Sequence, residues 1–378
     1  MRSSLPFLFA AFISDVLDHP EYCSCVAEKI WLDIVFVVDS SDAVGPRGTL
    51  NIEATIRSLL YGLSLGSRLF HSQVAIVSYG NTTAEIVRDF STLVSDSDID
   101  TLELHYQGSK GSDTALGLET AVEYLDEQGR NYTKKVIVLM ASDFESMCED
   151  GLGCPHGTRE NEENPAFQAA KQFKDDGGFI LTVAYIQDGE DELPKLGELA
   201  SPGYDFTTKE SGFSGNDIIE AFCDVNCFCG TGKYEYYQVE TKRKLPNGGC
   251  YQSFALPSVY TSAREACKHT GGFVATAHND SKNFFLFNHP FGESPLVKKV
   301  WLGYQYDGRE WKWTDNSTLP YTKWAPNEPV LAHGNCSYID MYSGFKTWWY
   351  AAACRDINTA FLNYVCQYRP CDSETYCI

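Results

Sequence analysis

The chain has 378 residues, is 43% apolar and carries a formal net charge of −21. This length exceeds that of one ordinary domain and predicts two cores, while the acidity disfavours nucleic acid, whose phosphates it would repel. Fourteen cysteines are far more than a chain in a reducing compartment normally carries, so we expect a secreted, extracellular protein with disulfide bonds.

The first 22 residues have the pattern of a signal peptide and leader. Arg2 precedes an apolar run from Leu5 to Ile13, which has the length of a signal peptide's central segment and is too short to span a bilayer. A buried N-terminal strand is the less favoured alternative, because aspartates follow the run. No other run approaches membrane-spanning length, so we expect no membrane span. Five glycosylation triplets agree with secretion, and they begin at Asn81, Asn131, Asn279, Asn316 and Asn335.

Residues 23–229 form the first predicted domain, in which strand-like and helix-like patterns alternate. The predicted strands are Ile30 to Val38, Gln73 to Tyr79, Ala84 to Phe90, Lys135 to Ala141 and Phe179 to Ile186, and the predicted helices are Ala115 to Leu125 and Pro165 to Lys174. The run from Ile34 to Val38 is apolar throughout, as a parallel strand buried on both faces requires. This alternation predicts a doubly wound α/β parallel sheet.

Polar residues follow these strands and indicate a metal site. Asp39 and Ser41 follow the first strand, Ser112 opens the loop before a helix, and Asp143 follows the strand that ends at Ala141. Such sheets bind ligands beyond the carboxyl ends of their strands, and carboxylate and hydroxyl oxygens suit Mg²⁺ or Ca²⁺. Upstream of residue 230 there are 38 acidic and 15 basic side chains, a field that attracts cations and basic partners. The alternative for an aspartate at a strand end is capping of the next loop.

At these residues the first domain resembles a von Willebrand factor A domain, over residues 30–222. The metal-ion-dependent adhesion site of that family uses Asp-X-Ser-X-Ser, a Thr from a second loop and an Asp from a third. The resemblance implies an incomplete site formed by Asp39, Ser41, Ser112 and Asp143. It is incomplete because Ala43 replaces the last Ser, while Ser112 replaces the Thr and keeps its oxygen. A working Mg²⁺ or Ca²⁺ site and a degenerate remnant both stay open, with Asp42 and Glu145 as candidate substitutes for the missing ligand.

The cysteines of the first domain lie in an insert and at the domain ends. Cys148 and Cys154 lie in the insert between Phe144 and Pro165 and are close enough to close their own loop, with zinc binding through His156 as the less favoured alternative. The remaining cysteines flank the domain, and they are Cys23, Cys25, Cys223, Cys227 and Cys229. We expect disulfides that clamp the two ends together, with a four-cysteine zinc site as the alternative, and the individual pairs stay open.

Residues 230–369 form the second predicted domain, an α+β pattern of short aromatic strands, turn-rich connections and two helices. The helices are predicted at Ser262 to His269 and at Asp280 to Phe287. Its motifs are Cys250-Tyr251-Gln252-Ser253-Phe254, the run from Ala263 to Phe273, Trp301-Leu302-Gly303-Tyr304, Trp311-Lys312-Trp313 and the run from Trp324 to Pro329. Through these motifs the domain resembles a C-type lectin-like domain over nearly its whole length.

The resemblance implies the disulfide bonds of the second domain. The implied pairs are Cys267 with Cys366, Cys336 with Cys354, and Cys250 with an upstream cysteine such as Cys229. Residues 370–378 are a tail outside the family pattern, in which we expect Cys371 and Cys377 to form a short loop. Tryptophans such as Trp301 and Trp313 are expected to pack in the core rather than to form a stacking platform for sugar.

Most calcium ligands of sugar-binding relatives are missing. Those family members hold calcium with Glu-Pro-Asn or Gln-Pro-Asp, with an acid two residues before a cysteine, and with a Trp-Asn-Asp triplet. The corresponding positions here are Glu328-Pro329-Val330, Gly334 and Trp349-Tyr350-Ala351. Because calcium takes about six to eight oxygens, we expect no lectin-type calcium site, and Asn327 and Glu328 remain only as weak candidates for ligand binding.

Together the two resemblances imply a non-enzymatic recognition protein. The arrangement is similar to nematode secreted C-type lectin domain proteins with an upstream von Willebrand factor A domain, for which roles in innate defence and cell adhesion are proposed. The expected ligand is an extracellular glycan or protein. The alternative is metal-dependent adhesion of a protein ligand through the A domain. His71, His105 and His156 have no marked partner, so we expect no enzyme.

Overall fold

The structure is a computed structural model, and it describes residues 23–142, 164–186, 194–209, 213–236, 249–288, 290, 297–318, 320–342, 346–356 and 360–377. The predicted signal segment and the residues Asp143, Cys148 and Cys154 lie outside the described residues. The chain divides into two compact units. The first is formed mainly by Ser24–Asn226 and the C-terminal segment from Asp372, and the second mainly by Cys227–Val239 and Leu245–Cys371.

The first unit alternates strands with helices, as its sequence pattern predicts. Its strands are β1 (Leu32–Asp39), β2 (Gln73–Tyr79), β3 (Ala84–Arg88), β4 (Lys134–Ala141), β5 (Phe179–Ala184) and β6 (Asp205–Thr207). Its helices are α1 (Gly45–Leu60), α2 (Asp96–Asp100), α3 (Thr114–Gln128), α4 (Pro165–Asp175), α5 (Pro194–Leu199) and α6 (Gly215–Val225). Every predicted strand and helix of this unit is present within a few residues of its expected bounds, whereas β6, α1, α2, α5 and α6 are not among the predicted elements.

The strands of the first unit form one sheet in the order β3-β2-β1-β4-β5-β6. All neighbours are parallel except the edge strand β3, which pairs antiparallel with β2. The central strand β1 lies between β2 and β4, so the loops that follow these strands gather at one edge of the sheet. The predicted doubly wound α/β sheet is confirmed.

Two apolar layers cover the sheet of the first unit. Ile34, Phe36 and Val38 of β1 belong to one layer, together with apolar side chains of α1 and α6. Val35 and Val37 belong to the other, together with side chains of α3 and α4. All five β1 side chains are buried because successive residues of a strand point to opposite faces, and both faces are covered here.

The C-terminal segment packs on the first unit. Asp372 and Ser373 are buried, and their side chains accept hydrogen bonds from the backbone N–H groups of Ser24 and Val26, at 2.7 and 2.9 Å. The indole N–H of Trp31 donates to the Asp372 carbonyl oxygen at 2.8 Å. The segment from Asp372 therefore meets residues 24–31 just before β1.

The second unit is an α+β fold with short strands. Its strands are β7 (Tyr234–Glu235), β8 (Cys250–Ser258), β9 (Phe273–Val274), β10 (Lys299–Tyr306), β11 (Trp311–Trp313), β12 (Cys336–Tyr342), β13 (Lys346–Ala352) and β14 (Leu362–Tyr368), and its helices are α7 (Tyr260–His269) and α8 (Asp280–Asn288). The strands follow the order β13-β12-β10-β14-β8-β7, with β11 paired to β10 and β9 to β14. Both predicted helices are present.

Aromatic side chains and disulfides hold the second unit together. Trp301 and Trp349 are completely buried, Trp313 is 4% exposed, and the indole N–H of Trp301 donates to the Ser258 carbonyl oxygen at 2.8 Å. These side chains are core residues, as predicted for Trp301 and Trp313. The disulfides pair Cys229 with Cys250, Cys267 with Cys366, and Cys336 with Cys354. These pairs are the ones that the lectin resemblance implies.

Candidate functional site

The predicted metal site of the first unit begins at the carboxyl end of β1. Asp39 is the last residue of this strand, and Asp39, Ser40 and Ser41 are all at most 1% exposed. The Ser41 N–H donates to Asp39 Oδ1 at 2.9 Å, which fixes the turn directly after the strand. The carboxylate and the serine hydroxyl are therefore held close together at the edge where such sheets bind ligands.

A second loop, residues 107–113, lies against the loop after β1. Ser41 and Ser109 form a parallel backbone bridge, and the Asp42 N–H donates to the Ser109 carbonyl oxygen at 2.9 Å. Ser112 is completely buried, and Asp113 after it caps α3 by accepting the Ala115 N–H at 3.1 Å. The structure thus brings the loops of Ser41 and Ser112 together, although the two residues are far apart in sequence.

The third predicted loop follows β4, the strand next to β1. The Ser142 hydroxyl donates to the Tyr185 carbonyl oxygen at 2.7 Å, which ties the start of this loop to the end of β5. The proposed ligand Asp143 comes one residue later and lies outside the described residues, as does Glu145. Asp42, the other candidate substitute for the missing ligand, accepts the Tyr106 hydroxyl at 2.7 Å, and this bond raises the pKa of Tyr106.

The residues present suit a hard divalent cation. Ser41 Oγ is buried and has no hydrogen-bond partner among the described residues, so its hydrogen-bonding capacity is left unused at this edge of the sheet. Carboxylate and hydroxyl oxygens are donors that Mg²⁺ and Ca²⁺ accept. Within the described ranges no cluster of three or more His, Cys, Asp or Glu side chains has the arrangement of a metal site.

In the second unit, the Glu328 side chain accepts hydrogen bonds from nearby backbone N–H groups. Glu328 Oε2 accepts the N–H groups of Val330 at 2.8 Å and of Ala351 at 3.2 Å, and Oε1 lies 3.2 Å from Nδ1 of His333. The Glu328 side chain is 8% exposed, and the peptide bond to Pro329 is cis. The neighbouring Asn327 is exposed, with a φ of 69°. The carboxylate therefore ties its own loop to β13.

The end cysteines of the first domain form two disulfides. Cys25 pairs with Cys223, and Cys23 pairs with Cys227. Cys371 and Cys377 are also disulfide-bonded, and none of the described cysteines is free. A four-cysteine zinc site at the domain ends is therefore excluded, since these thiols are oxidised. The predicted clamp at the ends of the domain is present.

Family models match both units. The von Willebrand factor type A domain matches residues 33–220, and the lectin C-type domain matches residues 257–368. The protein therefore contains a von Willebrand factor A domain followed by a C-type lectin domain. Both are domains of recognition and adhesion and are generally not enzymes. Among the described residues, no helix is long and apolar enough to cross a membrane.

Several known proteins have sequences similar to this chain. The chain is 26% identical over 379 residues to C-type lectin domain-containing protein 160 of Caenorhabditis elegans, covering 94% of this chain but 56% of that protein. It is 28% identical over 175 residues to regenerating islet-derived protein 3-beta of Mus musculus, covering 42% of this chain and 87% of that one. The chain thus spans about half the length of its nematode relative.

A solved structure similar to part of this chain is the C-type lectin CEL-I from Cucumaria echinata. The two are 19% identical, and the match covers 37% of this chain and 96% of the other with a TM-score of 0.30.

Proposed function

We propose that this protein is a secreted, non-enzymatic recognition and adhesion protein whose lectin domain binds a glycan or protein ligand without the family's calcium ion. The hydrogen bonds of Glu328 carry this proposal. Glu328 is the one carboxylate that remains of the family's calcium ligands, and it already accepts hydrogen bonds from two backbone N–H groups and lies beside His333. The described disulfides support an oxidising, extracellular location, and a role in innate defence follows from the resemblance to nematode lectin proteins.

The chemistry of the remaining positions supports the same proposal. Gly334 and Ala351 stand where sugar-binding relatives have carboxylates, and neither has a side-chain oxygen. Tyr350 takes the place of the Asn, and its ring stacks on Tyr338 with the centroids 5.5 Å apart. Calcium takes about six to eight oxygen ligands, and one carboxylate that is committed to its own loop does not supply them.

Calorimetric titration of the full chain with Ca²⁺ tests the lectin-domain proposal. We expect the wild type and Glu328→Gln to give the same isotherm, because Gln keeps an acceptor for the backbone N–H groups and removes only the charge that calcium needs. A calcium-binding event that is present in the wild type and lost in Glu328→Gln would show that the lectin domain binds calcium after all.

A second candidate function is metal-dependent adhesion through the A domain. The buried hydroxyl of Ser41, which has no hydrogen-bond partner among the described residues, favours it. Under this proposal Asp39, Ser41 and Ser112, together with Asp143, hold Mg²⁺ or Ca²⁺. The bound cation would then bind an acidic group of a protein ligand. The acidic surroundings of the first domain would raise the local concentration of the cation.

Titration of the full chain with Mg²⁺ tests the adhesion site, and two neighbouring serines provide a matched pair of variants. Ser41→Ala removes the proposed ligand, and we expect it to weaken Mg²⁺ binding by at least about tenfold, since even groups that only orient a ligand are typically worth about 10–100-fold. Ser40→Ala is the control, because the Ser40 hydroxyl instead donates to the Tyr79 carbonyl oxygen at 2.7 Å.

The pattern across the two variants decides the outcome. Wild-type binding that survives in Ser40→Ala and is weakened in Ser41→Ala supports the site. A wild type that binds no Mg²⁺ and no Ca²⁺ identifies the site as a degenerate remnant, and equal binding in all three proteins places the metal elsewhere.

A further inference from the structure

An open cleft of ≈ 470 Å³ lies in the second unit beside strands β10 and β11. Tyr304, Trp311 and Trp313 provide its aromatic walls, and Glu310, Asn316 and Thr318 provide polar groups. This volume lies within the roughly 300–1,000 Å³ of typical small-molecule sites, and aromatic walls with a few polar groups are their usual lining. The residues that bind calcium in sugar-binding relatives do not line this cleft.

Packed aromatic rings make the wall of this cleft rigid. The Tyr304 ring has its centroid 4.4 Å from that of Trp313 and 5.7 Å from that of Trp311, at interplanar angles of 35° and 32°. Trp311 also packs against Trp324, with the centroids 4.7 Å apart. Unlike the buried Trp313, Trp311 is partly exposed. The Trp311 ring is thus held in place by its neighbours and is still accessible to a ligand. Because the ring is already ordered, binding a ligand costs less conformational entropy.

The charges at the cleft do not favour an anionic ligand. The Lys312 ammonium lies 2.9 Å from Asp307 Oδ2 and 3.1 Å from Glu310 Oε1, so its charge is compensated within the hairpin. The backbone N–H of Glu310 and the Lys312 ammonium lower the pKa of Asp307 to about 2. Burial and the nearby Glu310 carboxylate raise the pKa of Tyr304. The carboxylates of Asp307 and Glu310 thus outnumber the Lys312 ammonium, so the hairpin does not attract an anion.

We propose that this cleft binds a neutral sugar ring, with the apolar face of the ring on Trp311 and Tyr304 and its hydroxyls bonded to Glu310 and Asn316. A pyranose ring has an apolar face and a polar edge, and the cleft offers aromatic faces beside a carboxylate and an amide. The inference rests on the proposed function, since it supplies the binding site that a lectin domain without calcium requires.

The glycosylation triplet at Asn316 affects the design of the test. Asn316 is exposed at the cleft, in the sequence Asn316-Ser317-Thr318, so a glycan attached there would begin beside the proposed site. All proteins in the test therefore carry Thr318→Ala, which removes the triplet and keeps the Asn316 amide.

The full chain with Thr318→Ala is applied, in EDTA, to an array of neutral oligosaccharides that end in hexose or N-acetylhexosamine. We expect binding that a further Trp311→Ala substitution weakens by at least about tenfold, the loss typical of an aromatic anchor. Trp348→Ala is the matched control, because Trp348 is also partly exposed but lies on β13 outside the cleft lining, and it should leave binding unchanged. Glu310→Gln, on an exposed hairpin, is a second cleft variant that does not disturb the core, and it should weaken binding as well.

The outcomes separate this inference from the proposed function. Binding in EDTA that is equal in the parent, Trp311→Ala and Glu310→Gln overturns the cleft and leaves calcium-independent recognition standing. Binding that appears only with added calcium overturns the proposed function itself. A complete absence of binding to the array overturns the assignment of a neutral sugar to this cleft.

Discussion

Two aspartates of strand β1 have different roles, although both are completely buried. Asp39, at the carboxyl end, lies in the candidate metal site, whereas Asp33, near the amino end, is paired with Arg130 at 2.7 Å. Asp33 also accepts the Thr133 hydroxyl at 2.8 Å, and the Arg130 guanidinium reaches the Leu32 carbonyl oxygen at 3.1 Å. A buried ion pair with such additional hydrogen bonds has a structural role.

At this residue scale we predict that Asp33→Ala lowers the free energy of unfolding by about 3–5 kcal/mol, because it leaves the Arg130 guanidinium buried without its carboxylate. Urea denaturation followed by circular dichroism measures the change. The double variant Asp33→Leu/Arg130→Met should be less destabilised than Asp33→Ala, since it removes both charges. If the single variant were as stable as the wild type, Asp33 and Arg130 would not act as a buried pair in solution.

At the scale of elements, the C-terminal segment acts as part of the first unit. Tyr376 packs its ring against Trp31 and Phe70, with centroid distances of 4.3 and 5.3 Å, and it also meets Tyr132 at 6.2 Å. Trp31 is completely buried and directly precedes β1. A segment distant in sequence thus covers the entry to the central strand.

We predict that Tyr376→Ala lowers the thermal midpoint and destabilises the first unit by about 1–3 kcal/mol, because it removes a half-buried ring that packs on three others. Tyr376→Phe is the matched control, since it keeps the ring, and it should stay close to the wild type. Differential scanning calorimetry measures both. Equal losses in the two variants would assign the effect to the hydroxyl rather than to ring packing.

At the scale of the whole molecule, two nested disulfides close almost the same long loop. Cys23–Cys227 and Cys25–Cys223 have sequence separations of 204 and 198 residues. A crosslink stabilises mainly by limiting the unfolded chain, by about 5 kcal/mol for a loop of this size in the loop-entropy treatment. Because either bond alone already closes the loop, their contributions are not additive.

We therefore predict that Cys25→Ala/Cys223→Ala and Cys23→Ala/Cys227→Ala each lower the free energy of unfolding by only about 2 kcal/mol, because the remaining bond still closes the long loop, whereas removal of both bonds lowers it by about 7 kcal/mol. Guanidinium denaturation of the three variants measures these changes. Purely additive losses would show that each bond acts through local packing in the folded state instead.

Local patterns were sufficient to predict much of the fold. Five consecutive apolar residues from Ile34 to Val38 predicted a buried strand, because such a run is typical of a parallel strand that is covered on both faces. Helix α1 was not predicted, since glycines and a proline occupy its first turn, and its apolar residues take helical spacing only from Ile52 onward. The family resemblance was sufficient for the disulfide pairs of the lectin domain but not for those at the ends of the A domain.

The sequence by itself determined two domains, their classes, the presence of disulfide bonds and the residue types of the candidate metal site, because composition, periodicity and motifs are local properties of the chain. Only the tertiary structure decided that Glu328 accepts the N–H of Ala351, 23 residues away, and that Trp311 is accessible where Trp301 is buried. It also placed the C-terminal segment against Trp31. Hydrogen-bond partners and exposure depend on which distant segments pack together, and no local pattern contains that information.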